Sequence, residues 1–476
     1  VNSVRKSFDG RRTVTRFAAL VLIYFAVVTL LPRPEAVSPE GWRLTGIFIA
    51  TVAGLVLEPI AGGGVVLLAV VAAVFLAGFT PAQALSGYAD PTVWLVMAAF
   101  FISRGLLKTG LARRVALVFV RAFGKTSVGV CYALGLSDMV LASIIPSNSA
   151  RSGGVTLPIT RAIAELYGSQ PGPTARKLGA FLMAGVYQCA VVSAATFLTG
   201  QASNPLAARM AGDFGHPVTW TSWALASIVP GLLSMAIVPL IVYRIYRPEI
   251  SSTPEAAAFA SSELEAMGRM GRQERILAVI FALVCGTWAT SGLHGLDITV
   301  TALCGGLALL VTGVLTWDDI LSEKPAWDIF VWYGGVMMLG RALNDTGVAT
   351  VFAESFGRSF SGLAWLPLLL VALVIYFFAH YAFASITTHI LALYPAFVAV
   401  LLAKDAPVGL VVLAFAFFAN LSAGLTHYGT APAPMYYEQG YLPMKDWWRV
   451  GAVVGVANLV IWGTAGFFWW KLLGLW

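Results

Sequence analysis

Apolar runs follow one another along this chain with few polar interruptions, among them FAALVLIYFAVVTLL (17–31), LTGIFIATVAGLVLEPI (44–60), VVLLAVVAAVFLAGF (65–79) and LPLLLVALVIYFFA (366–379). Several reach or approach the roughly 20 residues that cross a bilayer as helix. The pattern predicts an all-α polytopic membrane protein with about 11 transmembrane helices.

Two apolar stretches carry a polar centre. In 137–167 the centre is Pro146-Ser147-Asn148-Ser149 with Arg151 close behind; in 381–402 it is Ser385 to His389. An arm of about ten helical residues covers only half a membrane. Both stretches therefore read as re-entrant hairpins whose tips meet near the midplane. Each is followed by a stretch that glycine and proline interrupt: Gly200-Gln-Ala-Ser-Asn-Pro205 within 194–210, and Gly429-Thr-Ala-Pro-Ala-Pro434 within 421–436. Proline removes a donor and clashes with the preceding turn. In hydrocarbon the freed backbone groups need partners inside the protein or in a watery cavity. One such kink is ordinary in a membrane helix, but two at matching places point to a transporter's midplane binding site.

The longest polar interruption, 246–275, is rich in Ser, Ala, Glu and Arg and has room for a short amphipathic helix. It reads as a cytoplasmic linker between halves 1–245 and 276–476. Past each break, a glycine and a tryptophan recur eight residues apart, Gly215 with Trp223 and Gly440 with Trp448. The halves thus form a weak internal repeat, expected to be inverted in the membrane.

Composition agrees: 58% of the 476 residues are hydrophobic and only 11% are charged. The net charge of +7 reads as topology, not affinity for nucleic acid. Arg5, Lys6, Arg11, Arg12 and Arg16 precede the first apolar run. They place the N-terminus in the cytoplasm by the positive-inside rule. No small-residue cleavage site follows, so that run is expected to be a retained span. Arg104, Lys108, Arg113, Arg114, Arg121 and Lys125 form one further basic group, and Arg244, Arg247, Arg269, Arg272 and Arg275 another. Cys131, Cys189, Cys285 and Cys304 stand singly in apolar surroundings and read as small buried hydrophobes. No metal-ligand spacing and no cofactor motif is visible.

Ser147, Asn148 and Ser149 offer hydroxyls and an amide suited to a carboxylate or a cation, and Ser385, Thr387 and Thr388 repeat that chemistry. Gly200, Gly429 and Thr430 complete the candidate substrate site from the breaks. Two facing tips suit an elongated dianion, one carboxylate each. A buried dianion needs compensating charge. Arg151, always protonated, and His389, at the matching place in the second half, are the candidates. The alternatives are a structural ion pair for Arg151 and a satisfied core residue for His389. His427 is a weaker candidate, and His216 and His294 read as loop residues.

On these residues the chain resembles the divalent-anion:sodium symporter family, also known by the INDY name, over nearly its whole length. The resemblance implies Ser-Asn-Thr signatures on two hairpin tips, homodimers, and a transport domain moving against a scaffold in an elevator mechanism. Here the signatures read Ser147-Asn148-Ser149 and Ser385-Ile386-Thr387. Ile386 replaces an asparagine that in the family contributes to sodium and substrate binding. With Arg151, His389 and the runs SITTHILALYPAF and HYGTAPAP, the chain is similar to the sodium-independent exchanger branch. That branch implies antiport of succinate, malate, fumarate, 2-oxoglutarate, citrate or tartrate, with fixed positive side chains where sodium binds in symporters. A bacterial inner membrane is the expected location.

A sodium-coupled dicarboxylate or sulfate symporter is the nearest alternative. An intramembrane hydrolase using Ser385 and His389 would need a nucleophile turn and an oxyanion arrangement, and neither is visible. A channel is disfavoured because a buried arginine holds anions tightly.

Overall fold

In the computed structural model, residues 10–348 and 364–476 are described. Arg5 and Lys6 of the basic arm lie outside them. Among the described residues the chain is helical, with one isolated bridge between Thr126 and Ser252 as its only β pairing.

The first half runs through α1 (Gly10–Phe25), α2 (Pro39–Leu57), α3 (Gly62–Ala77), α4 (Pro91–Thr109), α5 (Leu111–Phe123) and α6 (Ser127–Ala142). After a turn come Asn148–Arg151, a π turn Ser152–Thr156, and α7 (Leu157–Leu166). Then follow α8 (Gly179–Thr196), α9 (Ser203–Asp213) and α10 (Trp220–Ile245). Polar residues just before the helices start them. Ser38 Oγ accepts from Gly41 N, Asp90 from Thr92 N and Thr126 Oγ1 from Gly129 N, each meeting one of the orphan donors of a first turn.

The linker folds back instead of hanging free. Its helix α11 (Pro254–Met267) packs on α5. Arg113 pairs with Glu263, Arg114 with Glu274, and Thr253 Oγ1 donates to Gly124 O at 2.8 Å. The second half comprises α12 (Arg272–Ala289), α13 (Ile298–Val311), α14 (Lys324–Asp345), α15 (Trp365–Ala379), α16 (Ile386–Leu402), α17 (Val408–Leu421), α18 (Pro432–Tyr437), α19 (Met444–Ile461) and α20 (Phe467–Leu472).

Eight of the described helices are long and apolar enough to cross a membrane. Four shorter apolar helices, α3, α6, α13 and α16, supplement them. Burial grades inward. The N-terminal span is 11% buried, whereas the span within α8 is 100% buried and that beginning with α17 is 94% buried. The helices that precede the two breaks are thus the centre of the molecule. Val300, Leu303, Leu307 and Val311 stand exposed on one face of α13, an arrangement suited to lipid. Cys304 lies exposed on the same helix and Cys285 is half-buried, so only Cys131 and Cys189 are the buried hydrophobes expected.

The polar-centred stretches are longer than their sequence boundaries. The first arm of the first begins at Ser127, not near 137, because the apolar pattern runs back without a breaker to the Thr126 cap. In the second, Ser385 starts a helix, and the arm before it is α15. The turn therefore lies at His380–Ser385, with 381–402 forming the turn and the second arm. α15 and α16 pack on each other and on α17.

Candidate functional site: two capped tips docked on two helix breaks

Each polar tip ends in a helix cap. Ser147 is extended, and its Oγ accepts from Ala150 N at 3.1 Å. Ser385 is extended likewise, and its Oγ accepts from Thr388 N at 3.4 Å. Capping uses an oxygen lone pair of each hydroxyl and leaves its proton to donate. Asn148 is buried with an unpartnered Nδ2, Thr388 and Thr430 are buried, and Ser149 and Thr387 are partly exposed.

The breaks have a common geometry. A Cβ added at Gly200 would stand 2.7 Å from Ala194 O, and one at Gly429 would stand 2.7 Å from Ala423 O. Both glycines are thus folded tightly over the carbonyl six residues earlier. Downstream, Gly215 and Gly440 both take the left-handed conformation, at φ 84° and 75°, which glycine adopts without strain. Trp223 Nε1 donates to Ala195 O at 3.0 Å, while Trp448 Nε1 donates to His427 Nδ1 at 3.0 Å. That bond gives His427 a structural partner. His294 bonds to Thr290 and Thr287 near a helix end, and His216 lies against Gly409.

Side chains meet the carbonyls that the breaks release. Asn204 Nδ2 donates to Ala194 O and Phe197 O, both at 2.8 Å. From α8, Tyr187 Oη reaches Ala423 O at 2.6 Å and Gln188 Nε2 reaches Gly424 O at 2.9 Å. Asn420 Nδ2 donates to Asn204 Oδ1 at 2.8 Å, and Thr156 and Tyr436 share a hydroxyl bond at 2.8 Å. The halves are therefore joined through their breaks, and no hydrogen bond runs directly from tip to tip among the described residues. This is how broken helices persist away from water.

Arg151 and His389 each sit four residues beyond their capping serine, and each leads to the glycine carbonyl of its own half's break. Arg151 does so directly, donating from Nη1 to Gly200 O at 2.8 Å and also to Ile145 O. His389 does so through a partner: its Nδ1 lies 3.0 Å from His380 Nδ1, and His380 Nε2 lies 2.8 Å from Gly429 O. Both histidines are buried. Sequence reasoning missed His380, which lies on the preceding arm in aromatic surroundings.

It also missed Asp138. Arg151 Nε donates to Asp138 Oδ1 at 3.0 Å, and both side chains are sealed from solvent. Arg151, expected as a site charge with a structural ion pair as the alternative, is half of an ion pair. Its Nη2 and the other carboxylate oxygen of Asp138 find no hydrogen-bond partner. Ile386 is buried and offers no polar atom. No group of three or more acidic, histidine or cysteine side chains suited to a metal occurs among the described residues.

Buried polar tips beside broken helices in a helical membrane fold are the architecture of a membrane transporter. The family and relatives that the chain matches likewise indicate a transporter, not an enzyme. The family described as "Sodium:sulfate symporter transmembrane region" matches residues 11–476, and the chain belongs to it. The "Putative malate transporter YflS" of Bacillus subtilis (strain 168) is 40% identical over 471 residues, covering 98% of each chain. The "Dicarboxylate transporter 1, chloroplastic" of Spinacia oleracea is 40% identical over 454 residues, covering 94% of this chain and 80% of its own. In fold, the chain is similar to the crystal structure of the Alcanivorax borkumensis YdaH transporter, with a TM-score of 0.58 at 14% identity and 97% of each chain covered.

Proposed function

We propose that the chain is a secondary transporter exchanging di- or tricarboxylates, of the size of succinate, malate, fumarate, 2-oxoglutarate, citrate or tartrate, without sodium. The observation that carries this reading is the matched pair of capped tips. Each presents a hydroxyl-rich turn, and a cationic or protonatable side chain four residues on is tied, directly or through His380, to the break of its own half. Relatives whose names give malate and dicarboxylates as cargo support the substrate class. One carboxylate is held at Ser147, Asn148 and Ser149 with Gly200. The other is held at Ser385, Thr387 and Thr388 with Gly429 and Thr430. Ile386 removes the asparagine that a sodium site would use.

The tips act as re-entrant hairpins of a transport domain moving as an elevator against the scaffold, within a homodimer in a bacterial inner membrane, N-terminus in the cytoplasm. Asp138 already neutralises Arg151, so the cost of moving the site empty through low dielectric rests on the second tip, and exchange is the mode while that tip carries a proton. The second reading is a sodium-coupled dicarboxylate or sulfate symporter. Asp138 favours it, because it cancels the charge of Arg151.

Proteoliposome uptake of radiolabelled succinate decides between them. Uptake that requires internal dicarboxylate and is the same in sodium and potassium supports exchange. Uptake into empty liposomes that follows a sodium gradient establishes the symporter.

A further inference from the structure

With Arg151 paired to Asp138 at 3.0 Å, the charge of the site depends on the second tip, where two buried histidines bond to each other. Their proton arrangement follows from what each atom faces. The Gly429 carbonyl can only accept, so His380 Nε2 must carry a proton and donate it. A neutral His380 then presents a lone pair at Nδ1, and His389 Nδ1 must donate to it. That leaves His389 Nε2 as an unprotonated nitrogen, and it is buried without a hydrogen-bond partner. The ring is held against Tyr376 at 4.2 Å between centroids and against Phe383 at 5.2 Å.

We infer that the His380–His389 dyad is a proton-binding site, and that one proton taken up from solvent onto His389 Nε2 accompanies each bound dianion. This deepens the proposed function and rests on it. The proton adds to the Nε2 lone pair, no other bond breaks, and the dyad becomes an imidazolium hydrogen-bonded to a neutral imidazole. His380 is the positioning residue. By bonding Gly429 it fixes which nitrogen of His389 is the base, and it ties the dyad to the second break.

Among the described residues, the surroundings supply no competing counter-ion. Of the elements packed against the dyad, α15 contributes Tyr376, with both its ring and its backbone carbonyl, and α17 has no charged side chain. On α16, the Tyr394 hydroxyl donates to Val412 O. On α9, Arg209 pairs with Asp213 and Asp90. On α2, Glu40 and Arg43 lie in the first turns. From the break, His427 accepts from Trp448, and the Tyr428 hydroxyl donates to Tyr381 O. Apart from burial, what acts on the two rings is each other and the carbonyls of Gly429 and Tyr376. An imidazolium there lacks a carboxylate among the described residues, and the transported anion provides one. Anion and proton thus strengthen each other's binding, reciprocally. The empty, deprotonated dyad is neutral, so return without cargo becomes possible as pH rises.

Calorimetric titration of succinate into purified protein, in two buffers of the same pH but different ionisation enthalpy, counts protons taken up on binding. Well above the pH at which the free dyad protonates, about one proton per protomer is expected, with apparent affinity rising about tenfold per unit fall in pH. His389→Gln should bind succinate more weakly and take up no proton. His380→Leu should lose proton uptake. His380→Gln should keep it, since the Gln amide can donate to Gly429 O and accept from His389 Nδ1 as the ring does. Succinate binding with no proton uptake in the wild-type protein at any pH between 6 and 9 overturns the inference while leaving dicarboxylate transport standing. The same holds if His389→Gln keeps full proton uptake. Absence of binding by succinate, malate, 2-oxoglutarate and citrate alike overturns the substrate reading and this inference with it.

Discussion

Arg151 Nε donates to Asp138 Oδ1 at 3.0 Å, and neither side chain is more than 1% exposed. The same guanidinium donates to Ile145 O and Gly200 O. It therefore fastens α6, the first tip and the first break into one unit. An ion pair in such a place costs desolvation on both sides, and removing one partner is worse than removing both. Asp138→Asn should destabilise the protein by about 3–5 kcal/mol, while Asp138→Asn with Arg151→Gln should recover a measurable part of that loss. Thermal unfolding in detergent tests this. Equal stability of wild-type protein and Asp138→Asn would mean that the pair does not hold the tip.

Gly200 and Gly429 should tolerate no side chain. Their Cβ atoms would lie 2.7 Å from a backbone carbonyl, which cannot swing away as a side chain would. Overpacking of this kind costs about 1–3 kcal/mol and opens the break. Gly200→Ala and Gly429→Ala are expected to lower succinate uptake at least about tenfold (the corresponding free energy being about 1.4 kcal/mol or more), with helix content by circular dichroism unchanged. Gly212→Ala is the control. Its Cβ meets only the end of the flexible Arg209 side chain, 3.9 Å away, and its uptake should match the wild-type level.

These two residue pairs mark what the sequence makes legible. Proline and glycine punctuate a membrane helix in a way that survives without any knowledge of packing, so the breaks at Gly200–Pro205 and Gly429–Pro434 can be read directly. The polar tips at Ser147 and Ser385 are legible too, because hydroxyl residues inside an apolar run stand out, though their role as helix caps is not. Asp138 and His380 are not. Asp138 is thirteen residues before Arg151, and His380 nine before His389, each on the opposite side of a turn whose position the apolar pattern does not fix. A second arm that starts at Ser385 looks, in one dimension, like a tip inside a longer apolar run. The charge balance of the site is not legible for the same reason, since the partner of Arg151 lies across that turn.

The link between Asn204 and Asn420 should be energetic as well as geometric. Asn204 Oδ1 accepts from Asn420 Nδ2 at 2.8 Å, and Asn204 spends its own amide on the carbonyls of Ala194 and Phe197. Asn420→Leu leaves Asn204 Oδ1 buried without that donor, and Asn204→Leu leaves Asn420 Nδ2 with only its bond to Ala416 O at 3.1 Å. In a double-mutant cycle on unfolding free energy, Asn204→Leu and Asn420→Leu should couple by about 0.5–3 kcal/mol. Additive effects would show that this bond contributes nothing to holding the halves together.

Acid should expose a different ion pair, whose carboxylate lies outside the spanning helices. Asp319 lies in the short helix Trp317–Ser322. Burial pushes its carboxyl up, but the hydrogen bonds from Lys108 and from Thr316 outweigh this and hold it down at about 2. The Thr316 N–H and hydroxyl donate to Oδ2 at 2.8 and 2.9 Å, closing a capping box, and Lys108 Nζ brings α4 to the same oxygen. A carboxyl held below its unfolded value of about 3.9 contributes stability that is fully present above that value. The contribution is lost as pH falls through the folded value of about 2. Lys108→Ala removes one donor, so it should unfold at lower temperature than the wild-type protein at neutral pH. That gap should shrink below about pH 4 and close near pH 2, as the wild-type carboxyl itself takes up a proton. Paired melting curves in detergent across this range provide the measurement. A gap that stays constant down to the lowest pH would assign the role of Lys108 to packing of its aliphatic stem against the short helix.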